Sequence, residues 1–451
     1  MWDEIKERLD KLSPAQVITG YYLLAVTISV LLLRIPAVHQ PGVEVSWLDS
    51  AFTAVSAVSV TGLSVLNISE TYSTFGVFML MFVLQFGGIG IMTLGTFFWI
   101  LLGKKIGLRG RRLIMVDHNQ SNLSGLVNLI REILKLILII EAAGALILGV
   151  HFLSYYDTFQ EAMLHGLFAS VSATTNGGFD ITGASLIPYA DDYFVQLIHI
   201  ILITLGAIGF PVLIEVKHYL FDRRDYKNFR FSLFTKLTSA TFAVLLVVGT
   251  VLILLLEGRH YFSGMSWHKT FFYAFFQSAT TRSGGLSTLN VNEFAESTQL
   301  LLSGLMFIGA SPSSVGGGIR TTTFALNVLF LYQFAHGNRD IKVFKREVHQ
   351  DDVLKSLVIT ILAVGMCFFA VIVLSLTETH SVTAIIFEVC SAFGTTGLSM
   401  GITPDLSAVG KCVIIILMFI GRIGLTSFLF IIGGKEKKSI YHYPKERVII
   451  G

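Results

Sequence analysis

Four short segments of the chain resemble one another, and each lies between long apolar stretches. They read SAVSVTGLS from Ser56, SATTNGGFD from Ser172, SATTRSGGLS from Ser278 and SAFGTTGLS from Ser391. Each opens Ser-Ala and reaches a glycine followed by Leu or Phe: Gly62-Leu63, Gly178-Phe179, Gly285-Leu286 and Gly397-Leu398. The Ser-to-Gly distance is 6, 6, 7 and 6, so the third copy reads as holding one extra residue. The glycines recur 116, 107 and 112 residues apart. With residue frequencies of roughly 5–10%, four matches at near-even spacing are not chance, and an internal repeat sets the architecture before local propensity does.

The 451 residues are 53% hydrophobic and 14% charged, against roughly 25% charged in a soluble domain. Apolar runs at Val17–Leu33, Phe75–Leu102, Leu134–Leu153, Phe194–Val216, Leu237–Leu256, Leu354–Leu376 and Val413–Ile432 approach or exceed the ~20 residues that cross a bilayer. Of 33 Lys and Arg, 23 fall in five clusters, at 6–11, 104–112, 217–236, 339–346 and 435–447, whereas the stretch from Asp180 to Asp192 holds three Asp and no base. The positive-inside bias places the five clusters and both termini in the cytoplasm. Between spans such clusters read as topology rather than nucleic-acid binding. Cys367, Cys390 and Cys412 lie in apolar stretches, which argues against a disulfide framework. The charged N-terminus lacks a small-residue cleavage site and suits a short cytoplasmic amphipathic helix.

The surroundings repeat as well. An apolar span precedes each motif, then an aromatic-rich segment of about a dozen residues leads into it, covering only about 18 Å as a helix. A re-entrant helix follows from that length. The unit is span, re-entrant helix, loop, span, and the fold expected is an all-α polytopic membrane protein. Four tandem span–pore helix–span repeats stand with pseudo-fourfold symmetry around one ion pore. The expected organisation is an N-terminal helix over 1–15 and repeats over 16–115, 116–229, 230–346 and 347–434, with a cytoplasmic tail over 435–451. The second spans also carry small residues, FGGIG at 86–90, LGAIGF at 205–210, FIGASP at 307–312 and FIGRIG at 419–424. These suit either helix packing or close approach to a central axis.

Non-helical backbone at membrane depth is tolerated only where it is buried in protein or lines a wet cavity. A ring of four loops presenting carbonyls can replace the hydration shell of a monovalent cation. Glycine permits the unusual dihedrals, and the re-entrant helices aim the negative ends of their dipoles at the loops. The segments concerned are Val60, Thr61 and Gly62; Asn176, Gly177 and Gly178; Ser283, Gly284 and Gly285; Thr395, Thr396 and Gly397. Gly285 is taken as the third filter glycine because Leu286 follows it, with Gly284 as the alternative.

This plan, with SVTGLS, TNGGFD, RSGGLS and GTTGLS as its loops, resembles the Trk/Ktr/HKT superfamily of potassium transporters, and within it the bacterial Ktr membrane subunits. The resemblance implies K+ as the transported ion, bound at the filter carbonyls Val60 to Gly62 and their equivalents. It implies a multi-pass protein of the bacterial plasma membrane and a homodimer with one pore per protomer. It further implies a separate cytosolic RCK-type nucleotide-binding ring, which would bind ATP or ADP in place of this chain. One glycine per loop, against the longer TVGYG-type signature of tetrameric channels, implies fewer ordered ion sites. Na+ activation and Na+ co-transport both stay open, since no residue set identifies a Na+ site.

The segment Gly309–Phe324 interrupts the second span of repeat three. Gly309, Ala310, Ser311, Pro312, Ser313, Ser314, Gly316, Gly317, Gly318 and Arg320 cannot sustain a helix, since interior Pro costs ~3 kcal/mol and Gly ~1 kcal/mol relative to Ala. The P-loop order is absent, so nucleotide binding is disfavoured. The resemblance makes 309–320 an intramembrane gating loop below the filter. Arg422, deep in a span, is expected to face the path at that height; capping loop carbonyls to hold the fold is its bland reading. Arg282 and Glu388 are read as an ion pair bracing the filter from behind. Asp180 either draws cations to the outer mouth or is an ordinary loop acid.

The reading is K+ uptake, with no enzymatic activity in the chain. The twelve histidines show no metal spacing, and Ser313 and Ser314 lack a placed base. The alternative is an alternating-access transporter of a monovalent cation, which more often has two inverted repeats.

Overall fold

A computed structural model of the protein describes residues 14–90, 126–221, 229–338, 340–425 and 427–429, with the single positions 444 and 446. The N-terminal helix expected over 1–15 lies outside the described residues but for its last two positions, as do the basic stretch 104–112 and nearly all of the tail.

One order recurs four times. Repeat one holds α1 (Pro14–Leu33), the short α2 (Trp47–Ser59) and α3 (Thr74–Gly88). Repeat two holds α4 (Leu126–Phe152), the short α5 (Phe159–Thr174), α6 (Tyr193–Ala207) and α7 (Phe210–Phe221). Repeat three holds α8 (Leu233–Glu257), the short α9 (Trp267–Thr280), α10 (Glu296–Ile308) and α11 (Thr321–Ala335). After a small hairpin of β1 (Lys342–Val343) and β2 (Arg346–Glu347), repeat four holds α12 (Gln350–Thr377), the short α13 (Val382–Gly394) and α14 (Ala408–Ile423). By length and apolar composition α1, α4, α8 and α12 can each cross a membrane, and α6 with α7 is apolar enough for a fifth span if the pair, bent by 105°, is taken as one.

The short helices have 13, 16, 14 and 13 residues. At ~1.5 Å per residue none reaches the ~30 Å of a hydrocarbon core. Three of the four begin at side-chain caps: Ser46, Thr158 and Ser381 accept from the backbone N–H groups of Asp49, Glu161 and Ala384. Asp49 and Glu161 lie in first turns, where the dipole favours an acid.

The short helices occupy the middle of the molecule. Nine of the thirteen residues of α2 are buried, while α1 and α12 expose Leu23, Leu24, Ile361 and Phe368, the lipid-facing pattern of a spanning helix. Four apolar cores tie each repeat to the next. Leu80 and Leu84 pack with Phe168 and Phe179, Leu202 and Ile203 with Phe276 and Leu286, and Leu302 and Met306 with Phe387 and Leu398. Ile385, Phe393 and Leu417 then pack with Phe52 and Leu63, bringing repeat four back to repeat one. The chain closes into a ring. Two seams also carry ion pairs at the outer rim: Lys411 with Asp49 at 2.7 Å between repeats four and one, and Lys269 with Asp191 at 2.6 Å between repeats three and two.

One expectation is corrected at this level. The break in the second span is not confined to repeat three. α3 is followed by Gly90 at φ +89°, α6 by Gly209 at +103° and α14 by Gly424 at +87°. Repeat three has Arg320 at +83° just before α11. The last glycines of FGGIG, LGAIG and FIGRIG therefore end their helices as well as allowing packing, because only glycine enters that region without strain.

Candidate functional site

The loops that leave the short helices share one backbone pattern. Val60 at φ +56° and Gly62 at +92°, Asn176 at +53° and Gly178 at +67°, Ser283 at +68° and Gly285 at +73°, Thr395 at +47° and Gly397 at +96° are all left-handed. The residue between each pair is not. Such alternation turns successive peptide planes so that neighbouring carbonyls can look the same way. For β-branched Val60 and Thr395 this conformation is an outlier costing roughly 1–2 kcal/mol. Strain of this kind persists where the surroundings over-determine it, as at functional sites.

Gly62, Gly178, Gly285 and Gly397 touch in cyclic order. A Cβ on Gly62 would lie 2.7 Å from the Cα of Gly178, and one on Gly178 3.1 Å from the Cα atoms of Gly285 and Gly62. A Cβ on Gly285 would lie 2.3 Å from the Thr396 carbonyl oxygen, and one on Gly397 2.1 Å from that of Thr61. Gly285, rather than Gly284, holds the ring position. Among the described residues no hydrogen bond reaches the carbonyl of Val60, Thr61 or Gly62, or those of the nine equivalent residues. Backbone carbonyls this deep are expensive to leave unpaired, and the ring presents them together.

The third copy is corrected in register. Ser278 donates to the Leu246 carbonyl at 2.8 Å, as Ser170 donates to that of Glu141 at 2.8 Å. Ser278 is thus the counterpart of Ser170, and Thr280 takes the place of Ser172: Thr280 Oγ1 donates to the Leu286 carbonyl at 2.6 Å, and Ser172 Oγ to that of Phe179 at 2.6 Å. Counted from this hydroxyl the third loop is one residue shorter, not longer. The repeated Ser-Ala letters hid the shift.

The 309–320 loop lies against the loops of the glycine ring. It leaves α10 through Gly309 at φ +73° and closes on itself, Ala310 N–H donating to the Gly317 carbonyl at 3.1 Å and Arg320 N–H to that of Ile308 at 3.0 Å. Ser311 N–H and Val315 N–H donate to the Ala207 and Gly206 carbonyls at the end of α6, at 3.0 and 3.3 Å. Gly317 N–H donates to Ser283 Oγ at 3.3 Å, and Ser283 Oγ in turn donates to the Gly394 carbonyl at 2.9 Å. A Cβ on Gly316 would meet Ser283 Oγ at 2.4 Å, and one on Gly317 the Thr395 Oγ1 at 2.5 Å. Ser314 Oγ holds the Ser311 carbonyl at 2.6 Å across the turn at Pro312, where Ser313 is left-handed and Gly318 follows at φ +84°.

Two arginines clasp this loop. Arg320, at φ +83° and ψ +145°, occupies a region that is nearly glycine-only and costs of order 1–3 kcal/mol, and its guanidinium donates to the Gly316 carbonyl. Arg422 donates to the Val315 carbonyl of the loop and to the Gly87 carbonyl at the end of α3. It joins repeats four, three and one at one depth.

The expected pair of Arg282 and Glu388 does not form. Fully buried Arg282 donates through Nη2 to the Leu305 carbonyl at 2.8 Å and to Thr281 Oγ1 at 3.3 Å. Glu388 accepts from Ser399 Oγ at 3.0 Å and from Thr403 Oγ1, both in the segment just past the ring glycine of its own repeat. The bonds each charge makes stay within its own repeat, and among the described residues Nε and Nη1 of Arg282 are buried without a hydrogen-bond partner. Buried Glu141 of α4 accepts from Gln85 Nε2 of α3 at both oxygens, at 3.0 and 2.9 Å. Asp180 accepts from Thr182 and Gly183 N–H at 3.0 and 2.8 Å, folding its own turn.

Four repeats closed around a ring of unclaimed backbone carbonyls define a polytopic membrane protein of the kind that conducts or carries cations. The comparisons agree. Residues 10–438 match the family described as TrkH: Cation transport protein, and the chain belongs to that family. It is 60% identical over 443 residues to Ktr system potassium uptake protein D of Bacillus subtilis, covering 98% of each chain. It is 33% identical over 461 residues to the potassium/sodium uptake protein NtpJ of Enterococcus hirae, covering 99% of each. The crystal structure of the potassium transporter TrkH from Vibrio parahaemolyticus superposes with a TM-score of 0.72 at 21% identity, over 93% of this chain and 85% of that one, which shows the fold.

Proposed function

We propose that the chain is the K+-translocating membrane subunit of an uptake system. The observation that carries this reading is the cyclic contact of Gly62, Gly178, Gly285 and Gly397 beside carbonyls that no hydrogen bond among the described residues claims. Four such loops replace the hydration shell of a monovalent cation. K+ moves inward down the membrane potential, each charge gaining ~2.3 kcal/mol per 100 mV, so this chain needs no hydrolysis of its own. The 309–320 loop is the gate: it lies against Ser283 and Thr395, and Arg320 and Arg422 hold it shut until it is drawn aside.

The names of the relatives support K+ as cargo, and that of the Enterococcus relative keeps Na+ open as co-ion or activator. A cytosolic RCK-type ring that binds ATP or ADP would work the gate from the cytoplasmic side, where the basic clusters and both termini lie. Two copies would assemble with one pore each. Broken second spans also occur in alternating-access transporters, but four parallel repeats around one ring favour a pore.

The test is K+-limited growth and uptake in cells lacking K+ transport, with and without a cytosolic partner, for the parent and for a Gly→Ser change at each of the four glycines. Loss in all four is expected. Growth indifferent to all four would remove the filter assignment.

A further inference from the structure

Four loops of similar sequence do not present four equivalent carbonyls at the outer edge of the filter. In repeats one and four the buried hydroxyl of the short helix accepts: Gly62 N–H donates to Ser56 Oγ at 3.1 Å, and Gly397 N–H to Ser391 Oγ at 3.0 Å. Because a trans peptide sets its C=O opposite its N–H, the Thr61 and Thr396 carbonyls then point away from the short helices, towards the ring. In repeats two and three the hydroxyl instead donates. Ser172 Oγ holds the Phe179 carbonyl and Thr280 Oγ1 that of Leu286, each at 2.6 Å, and both hydroxyls are wholly buried behind the loops. No described residue donates to the corresponding carbonyls of Leu63 and Leu398.

We infer that the outermost carbonyl ring of the filter is incomplete: Ser172 and Thr280 turn the Phe179 and Leu286 carbonyls back into the protein. Leu63 and Leu398, from neighbouring repeats, are left to meet the entering ion. The ring order runs one, two, three, four, so the missing ligands lie side by side and the deficit is one-sided. An ion at this level keeps water on the side of repeats two and three. It sheds that water only at the inner rings, where each repeat offers a carbonyl. Ser172 and Thr280 are positioning residues that keep the outermost site weak, and conduction needs binding weak enough for the ion to leave. This rests on the filter reading above.

The experiment uses the full-length chain with Ser172→Ala and Thr280→Val, singly and together, and measures K+ uptake kinetics and Rb+/K+ competition. Freeing the two carbonyls is expected to lower KM for K+ by about threefold or more and to shift the Rb+/K+ preference, with Vmax unchanged or reduced. Ser172→Thr and Thr280→Ser, which keep the hydroxyl, should restore the parent KM. Reduced Vmax with KM and ion preference unmoved would assign the hydroxyls to loop stability alone and overturn the inference. If a variant reaches the membrane in amounts too small for uptake, K+ titration calorimetry of the purified protein reads the same affinity change. Gly178→Ser and Gly285→Ser run alongside. If they abolish uptake while the hydroxyl variants leave KM unmoved, only this inference fails; if they leave uptake intact, the filter reading fails and takes the inference with it.

Discussion

At the scale of single residues the tightest constraint is on the ring glycines. A Cβ on Gly397 or Gly285 would meet backbone at 2.1 or 2.3 Å, so Gly397→Ala is expected to cut K+ uptake by about tenfold or more, because neighbouring carbonyls must shift. Glu388 makes a different prediction. Since it holds Ser399 and Thr403 rather than Arg282, the charge swap Arg282→Glu with Glu388→Arg should not restore uptake. Glu388→Ala should lower stability by roughly 1–3 kcal/mol through the stranded hydroxyls, read as a lower Tm in detergent. Rescue by the swap would show that the two charges couple after all. The sequence marked these as charges needing a partner, but one-dimensional spacing cannot say which hydroxyl a folded loop returns to the helix.

At the scale of elements, the 309–320 loop trades strain against hydrogen bonds. Arg320→Gly removes an outlier conformation worth roughly 1–3 kcal/mol together with the bond to Gly316. The expected result is a looser loop and more uptake without any partner subunit; unchanged basal flux would argue against a clasp. The outer seam between α9 and α6 titrates. Hydrogen bonds from Lys269 and Tyr273 hold the Asp191 carboxyl below its ordinary value. A depressed carboxyl stabilises above the unfolded-state value of ~3.9 and loses that contribution as pH falls through its lower folded value. Asp191→Asn should therefore lower stability at neutral pH by under ~1 kcal/mol for so exposed a group, read as a slightly lower Tm, and the difference should close in strong acid. A difference that persisted there would place the effect elsewhere than in the ion pair.

At the scale of the whole molecule the ring closes through contacts between residues far apart in the chain. Lys411 and Asp49 lie 362 positions apart and are 2.7 Å from each other, so a double-mutant cycle in the folded protein should give a coupling of about 1 kcal/mol. A coupling of zero would leave seam four–one to apolar packing alone. The sequence by itself determined the membrane class, the four repeats, the short helices and the ring glycines, because apolar length and recurrence are properties of the chain read in one dimension. It also pointed to the loop at Gly309–Arg320, since Pro and runs of Gly break a helix wherever they stand. Only the tertiary structure decided that α3, α6 and α14 each end at a left-handed glycine, as α10 does, and that Thr280 replaces Ser278 in register. It likewise decided that Arg282 and Glu388 stay apart and that two loops turn a hydroxyl donor, two an acceptor. Each of those depends on which backbone group a side chain faces after the repeats have packed, and that direction is not written in residue spacing.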